Sequence, residues 1–272
     1  MRKIISLLLA AAMCMGTIAF ASEYSDVDDN ALYANAVDRL YDFGVMRGYE
    51  DGTFRPDRVV TRAEAAALMC AARNIHAEDI LDDIGDETII LWNDGSVYDE
   101  VSDGYEKPLF SDVDKSHWAY KFICYAAKMH PTPVQGYDDG TFRPGETVTS
   151  AEFVKMCVCL IGYGDIAENN GGYPNGYITQ AATLGLTEGI GEIAYNQGIT
   201  RADAAVILAN TLEAPILAIG DVHMDENGVV SLTPKMMDGT GEDYKNLLMM
   251  YFDIYKVTAS VVDSDAQTSR RK

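Results

Sequence analysis

Histidine is scarce in this sequence, and its four residues, His76, His117, His130 and His223, are scattered along the chain. None of them has zinc-type spacing to another, no Gly-x-Ser-x-Gly elbow is present, and no glycine-rich phosphate loop can be read. Acidic residues are so abundant that no carboxylate pair stands out as an acid and base. The sequence therefore reads as a non-enzyme with no cofactor and no metal. Basic residues are also few, with 21 Lys and Arg against 42 Asp and Glu for a net charge of -21. Such a surface repels nucleic acid and anionic lipid, so neither is an expected partner. The acidity itself identifies no ligand and fits solubility outside the cell.

Only one long apolar run exists, from Ile4 to about Ile18, preceded by Arg2-Lys3 and followed by Ala19-Phe20-Ala21. It is too short for the roughly 20 residues of a spanning helix. The small-x-small ending fits signal peptidase, so residues 1–21 read as a secretory signal and the mature chain starts at Ser22. Cleavage removes two basic residues and no acidic one, which takes the net charge from -21 to -23. Cys14 is no lipoprotein cysteine, because Met13 precedes it where a small residue belongs. Cys70, Cys124, Cys157 and Cys159 remain, each inside an apolar helical pattern, and they read as buried free thiols.

What the chain does contain is internal repetition, which decides the architecture. Ser25-Asp26-Val27 recurs as Ser111-Asp112-Val113. Gly48-Tyr49-Glu50-Asp51-Gly52-Thr53-Phe54-Arg55-Pro56 recurs as Gly136-Tyr137-Asp138-Asp139-Gly140-Thr141-Phe142-Arg143-Pro144. Thr61-Arg62-Ala63-Glu64 recurs as Thr149-Ser150-Ala151-Glu152. A weaker third copy starts near Tyr173 and closes with Ile199-Thr200-Arg201-Ala202-Asp203. Within a unit, Ala34, Val37, Leu40 and Tyr41 recur at helical spacing and Gly44 follows where a helix would end. A turn on Asp51-Gly52 comes next, where glycine tolerates positive φ. A second helix then opens on the capping box Thr61-x-x-Glu64, repeated at Thr149-x-x-Glu152 and shortened at Thr200-x-x-Asp203. One such unit of about 50 residues buries its apolar face poorly alone, so the expected fold is a mostly α, three-lobed bundle.

These residues resemble the S-layer homology family, whose repeat runs from a Ser/Asp/Val block and a tryptophan through Gly-Tyr-x-Asp-Gly-Thr-Phe-x-Pro to Thr-Arg-Ala-Glu. The resemblance divides the chain into repeat 1 at residues 22–73, an acidic insert at 74–109, repeat 2 at 110–163, a degenerate repeat 3 at 173–213 and a C-terminal piece at 214–272. It implies a pseudo-threefold bundle that anchors a secreted protein to the wall by binding secondary cell-wall polysaccharide in inter-repeat grooves, often through a pyruvyl ketal on a terminal sugar. The partner is that polysaccharide or another peptidoglycan-linked glycan. The alternative is an S-layer or envelope scaffold acting mainly by self-association.

The resemblance also supplies the candidate polysaccharide-binding residues. Arg62 and Arg201 stand in the first turn of a helix, beside free backbone N–H groups that suit a carboxylate. Trp118, with Tyr33 replacing it in repeat 1, could stack on a sugar face. Gly52 and Gly140 would allow close backbone approach, while Asp26 and Asp112 would accept sugar hydroxyls. Each has a plainer reading. Glu64 and Glu152 could only complete their caps, Asp26 and Asp112 could cap the first helix, and Trp118 could be core. Arg62 is expected to point at ligand, so that Arg62→Ala weakens glycan binding and leaves the fold intact. Ser150 replaces the arginine of repeat 2, and repeat 3 lacks the Ser-Asp-Val block, the aromatic and the Asp-Gly-Thr-Phe turn.

In the insert, Ile89-Ile90-Leu91-Trp92 before Asn93-Asp94-Gly95 reads as a strand and hairpin turn. Glu78, Asp79, Asp82, Asp83, Asp86 and Glu87 make it acidic, and it either forms a surface excursion or covers a groove. A small hairpin is expected around Asn227-Gly228. Asp221, Asp225 and Asn227 do not make a calcium loop, because Glu226 and Leu232 fall where its glycine and closing acid belong. Leu247 to Tyr255 reads as a helix or strand, followed by a polar tail. Little room is left for an effector region beyond the repeats, which fits a truncated reading frame or a minimal wall protein.

Overall fold

A computed structural model describes residues 24–80, 88–91, 97–100, 109–129, 132–224, 230–238 and 244–255. The signal segment 1–21, the turn at Asn93-Asp94-Gly95, the acids Asp82, Asp83, Asp86 and Glu87, the turn at Asn227-Gly228 and the tail after Tyr255 lie outside the described residues.

The architecture is mostly helical. Three inner helices, α2 (Arg62–Ala71), α4 (Ser150–Leu160) and α7 (Arg201–Glu213), carry most of the core. They are rich in small and apolar residues and bury nearly every side, as with Ala65, Ala66 and Met69, Phe153, Val154 and Cys157, and Ala204, Ala205 and Ile207. Each is opened by a threonine. The Thr61 and Thr149 hydroxyls accept the Glu64 and Glu152 amides, and those glutamates accept the threonine amides in return. Thr200 takes the Asp203 amide alone. A threonine cap of this kind contributes about 1 kcal/mol.

Three outer helices complete the pairs, α1 (Ala34–Asp42), α3 (Tyr120–Lys128) and α6 (Asn175–Thr183). In α1 the buried Ala34, Val37 and Leu40 recur every three residues, and the helix stops at Gly44, whose φ of 71° a side chain would resist. The helices pack in a cycle: α3 of the second unit lies on α2 of the first, α6 of the third on α4 of the second, and α1 of the first on α7 of the third.

A ring of backbone hydrogen bonds closes the same cycle at the centre. The Val60 amide donates to the Ile199 carbonyl, the Ile199 amide to the Val148 carbonyl, and the Val148 amide to the Val60 carbonyl, each at 3.0 Å. All three side chains are buried. Each residue lies just ahead of its capping threonine, so a single local sequence places three chain segments around one axis.

Two antiparallel pairs of strands accompany the helices. β1 (Thr88–Leu91) pairs with β2 (Val97–Glu100) inside the insert, and β3 (Leu217–Met224) pairs with β4 (Val230–Met236) beyond α7. A short helix, α5 (Gly164–Asn169), joins α4 to α6, and α8 (Leu247–Tyr251) follows β4. The C-terminal piece is tied to the bundle. The Leu217 amide donates to the Ile161 carbonyl and the Asn74 side-chain amide to the Tyr251 carbonyl, Leu247 and Leu248 are buried, and Phe252 lies 6.0 Å from Phe43 between ring centres. Among the described residues no helix is long and apolar enough to cross a membrane.

Candidate functional site

The repeated glycine turn is a rigid unit. In the first copy the Asp51 carboxylate accepts the Thr53 hydroxyl at 2.6 Å and pairs with Arg55 at 2.9 Å, while the Arg55 guanidinium lies over the Tyr49 ring at 3.8 Å. Asp139, Thr141, Arg143 and Tyr137 repeat this arrangement. The threonine hydroxyls first, and then the arginines, hold both aspartates at about 2. Arg55 and Arg143 have φ of 57° and 58°, a left-handed conformation uncommon for a side-chain-bearing residue.

Asp26 and Asp112 stabilise that conformation. Each places one carboxylate oxygen on the amide of the phenylalanine and the other on that of the arginine, at 2.7 and 2.8 Å for Asp26 and 2.7 and 2.7 Å for Asp112. Their expected helix-capping role is corrected, because the N-cap positions of α1 and α3 are Tyr33 and Ala119, with no side-chain cap. Gly52 and Gly140 have φ of 77° and 80°, and a Cβ there would meet nothing. Their role is conformational. A tight approach of backbone to side chain occurs instead at Gly48 and Gly136, where a Cβ would lie 2.1 Å from the Tyr24 ring and 2.3 Å from the Phe110 ring, so these two glycines are needed for packing.

Arg62 is not directed outward. It is 5% exposed, its Nε donates to the Phe142 carbonyl and its Nη2 to the Gln135 carbonyl, each at 2.8 Å, and its Nη1 lies 3.7 Å from Glu152. The guanidinium covers the Tyr137 and Phe142 rings. Arg201, 8% exposed, repeats the contact one unit on, donating to the Phe54 and Arg47 carbonyls at 2.8 Å and covering Tyr49 and Phe54. Each arginine thus fastens the turn of the neighbouring unit. The fork of donors and the flat cation suit two carbonyls and an aromatic face. Ser150, the third member, sets only a hydroxyl 3.5 Å from the Gln197 carbonyl.

Between the first and second units lies a cleft of about 780 Å³, lined by Gly44 to Arg47, Val60, Glu64, Ala67, Leu68, His76, Glu78, Trp118 and Arg201. Three of the sequence-predicted residues, Glu64, Trp118 and Arg201, therefore meet there, each from a different unit. Trp118 is 61% exposed, so its indole is an open platform and not core. Burial opposes ionisation of Glu64, but the Thr61 amide and the Arg58 guanidinium at 2.7 Å outweigh it and hold the carboxyl below its ordinary value.

Tyr33 is not the equivalent of Trp118. The Ala34 amide bonds to the Ala31 carbonyl as the Tyr120 amide bonds to that of His117, which aligns Leu32 with Trp118. Tyr33 packs partly buried against the core, and Leu32 is 76% exposed. The third unit does hold an aromatic here. Tyr173 stands two residues before α6 as Trp118 stands two before α3, and it is 49% exposed. Beside it, Lys155 sets its Nζ 5.6 Å from the Tyr173 ring and 5.3 Å from the Tyr177 ring, while Arg62, Glu152 and Gln135 mirror Arg201, Glu64 and Arg47. At the third junction the matching residues are Ser150, Asp203 and Leu32, without arginine or aromatic. Sequence reasoning missed Arg47, His76, Glu78 and Tyr173. Only Tyr173 carried a signal, its position ahead of a helix.

The fold is a helical domain built from repeated units. A family model for the S-layer homology domain matches residues 23–66 and 133–154. The chain is 32% identical over 214 residues to a cell surface protein of Thermoanaerobacter kivui, covering 79% of this chain and 24% of that protein. It is 28% identical over 223 residues to the middle cell wall protein of Brevibacillus brevis, covering 80% and 18%. It is also 32% identical over 112 residues to a cellulosome-anchoring protein of Acetivibrio thermocellus, covering 41% and 20%. The chain spans about a quarter or less of the length of these relatives. It belongs to the S-layer homology family of cell-surface proteins.

Proposed function

We propose that this chain is a non-covalent cell-wall anchor, not an enzyme, and that it seats a secondary cell-wall polysaccharide in its inter-unit clefts. The carrying observation is the cleft that gathers Trp118, Glu64 and Arg201 from three units. An exposed indole stacks on the apolar face of a sugar ring. The buried Arg201 brings a fixed positive charge to the wall of the cleft, which suits an acidic substituent such as a pyruvyl ketal. Asp26, Asp112, Gly52, Gly140 and Glu152 act from behind, by shaping the turns against which the arginines rest.

Arg62, Glu152, Lys155 and Tyr173 support a second competent cleft, whereas the third has Ser150 and Leu32 at the positions of the arginine and the aromatic. Export by the segment 1–21 would place the anchor outside the membrane. The alternative, lateral self-assembly as a scaffold, is separated by the same experiment. Residues 22–272 are sedimented with purified sacculi before and after removal of the secondary polysaccharide, alongside Trp118→Ala. Binding that needs the polysaccharide and falls at least tenfold in the variant, with helix content unchanged, is expected. Ordered arrays forming without glycan, and no binding to sacculi, would replace this reading by self-assembly.

A further inference from the structure

The first cleft has one wall that the repeat does not supply. After α2 the chain enters the insert through a single 3-10 turn, Ala77–Asp79, and both His76 and Glu78 line the cleft. The turn is held from two sides. The Asp79 carboxylate accepts the His76 amide at 2.8 Å, and Lys121 on α3 donates to the Ala77 and Ile80 carbonyls at 3.3 and 3.0 Å. Ile80 is buried. The insert is therefore anchored to both units where it meets the cleft, and His76 is held at the rim of the space that also contains Trp118.

Building on the anchoring reading above, we infer that His76 is a ligand-contacting residue that makes attachment at this cleft pH-dependent and selects for an anionic group on the glycan. The charged groups around it define the effect. Among the described residues of the lining, Arg47 and Arg201 stand against Glu64 and Glu78, so these charges balance while the imidazole is neutral. Protonation leaves the lining with one net positive charge. Asp79 and Lys121 flank the turn from outside the cleft, and Arg58 engages Glu64. His117 adjoins Trp118, and its Nδ1 accepts the Ala119 amide at 3.2 Å. Histidine is the side chain whose charge ordinarily changes between pH 5 and 8. Acidification thus strengthens attachment, and the chain-specific insert, not the repeat, provides the response.

The test is equilibrium binding of residues 22–272 to sacculi retaining their secondary polysaccharide, at pH 8.0 and pH 5.5 and constant ionic strength. One added charge at the wall of a solvent-open cleft predicts binding tighter by about fivefold at pH 5.5. His76→Gln should lose the increase, read as the ratio of its own affinities at the two pH values, while His117→Gln should keep it. A parent that binds equally at both pH values, or an increase that survives in His76→Gln, overturns the inference while the anchoring function stands. Sacculi that capture neither the parent nor any variant at either pH defeat the anchoring reading, and this inference with it.

Discussion

Replacing Arg62 by alanine tests the architecture most directly, because the sequence alone led to the opposite expectation. The guanidinium is 5% exposed and donates to two carbonyls on the neighbouring unit, Phe142 and Gln135, with Glu152 at 3.7 Å. Truncation removes two charge-assisted hydrogen bonds, leaves both carbonyls short of a donor and opens the space over Tyr137 and Phe142. Hydrogen bonds to charged groups contribute about 1.5–3 kcal/mol each. A loss of about 4 kcal/mol is therefore expected. For a domain of this size, where each kcal/mol moves Tm by about 2–4 °C, the midpoint should fall by about 10 °C. Arg62→Lys should recover less than half of that, since an ammonium cannot reproduce the planar fork. Thermal unfolding followed by circular dichroism reads both variants. An Arg62→Ala midpoint within about 2 °C of the parent would refute the fastening role and return the guanidinium to the ligand.

Gly48→Ala should destabilise the protein by about 3 kcal/mol or more, because its Cβ would meet the Tyr24 ring and the Thr53 carbonyl. Gly52→Ala, with open space but positive φ, should cost only about 1 kcal/mol, and urea titration of the pair separates the two causes. Asp51 and Asp139 should titrate near 2 in NMR spectra. Their folded pKa lies below the unfolded value of about 3.9, so the stability they contribute is complete above that pH and is lost as pH falls toward 2. Midpoints near 4 would show that the Thr53 and Thr141 hydroxyls do not hold these carboxylates.

Local chemistry was legible in the sequence and long-range chemistry was not. The capping boxes at Thr61 and Thr149 could be read because both partners lie within one turn, as could the positive φ of Gly52 and Gly140. The role of Asp26 could not, since the amides it accepts belong to Phe54 and Arg55, 28 and 29 residues away. The carbonyls that hold Arg62 are 73 and 80 residues distant, so an arginine fastening two units resembled one free for a ligand. Trp118 stands exposed at the cleft, while its counterpart in the first unit lies one position earlier than expected, at Leu32 and not Tyr33. Both lie at the helix entry, and the hydrogen-bond register agrees with the spacing from the Ser-Asp-Val blocks, seven residues ahead of Leu32 and of Trp118, in selecting Leu32. His76 and Glu78 carried no motif, because they reach the cleft only through where the insert leaves α2.

The closed circuit of Val60, Val148 and Ile199 also bears on which parts of the chain selection can discard. A linear stack of repeats can lose a terminal member and keep the rest, because each interior joint is complete without it. Here the last unit is also the neighbour of the first. Removing it would strip the Val60 amide of its acceptor and the Val148 carbonyl of its donor, uncover α1, and release the turn that Arg201 fastens. The third unit can shed its aromatic turn, but its closing helix must persist as a keystone.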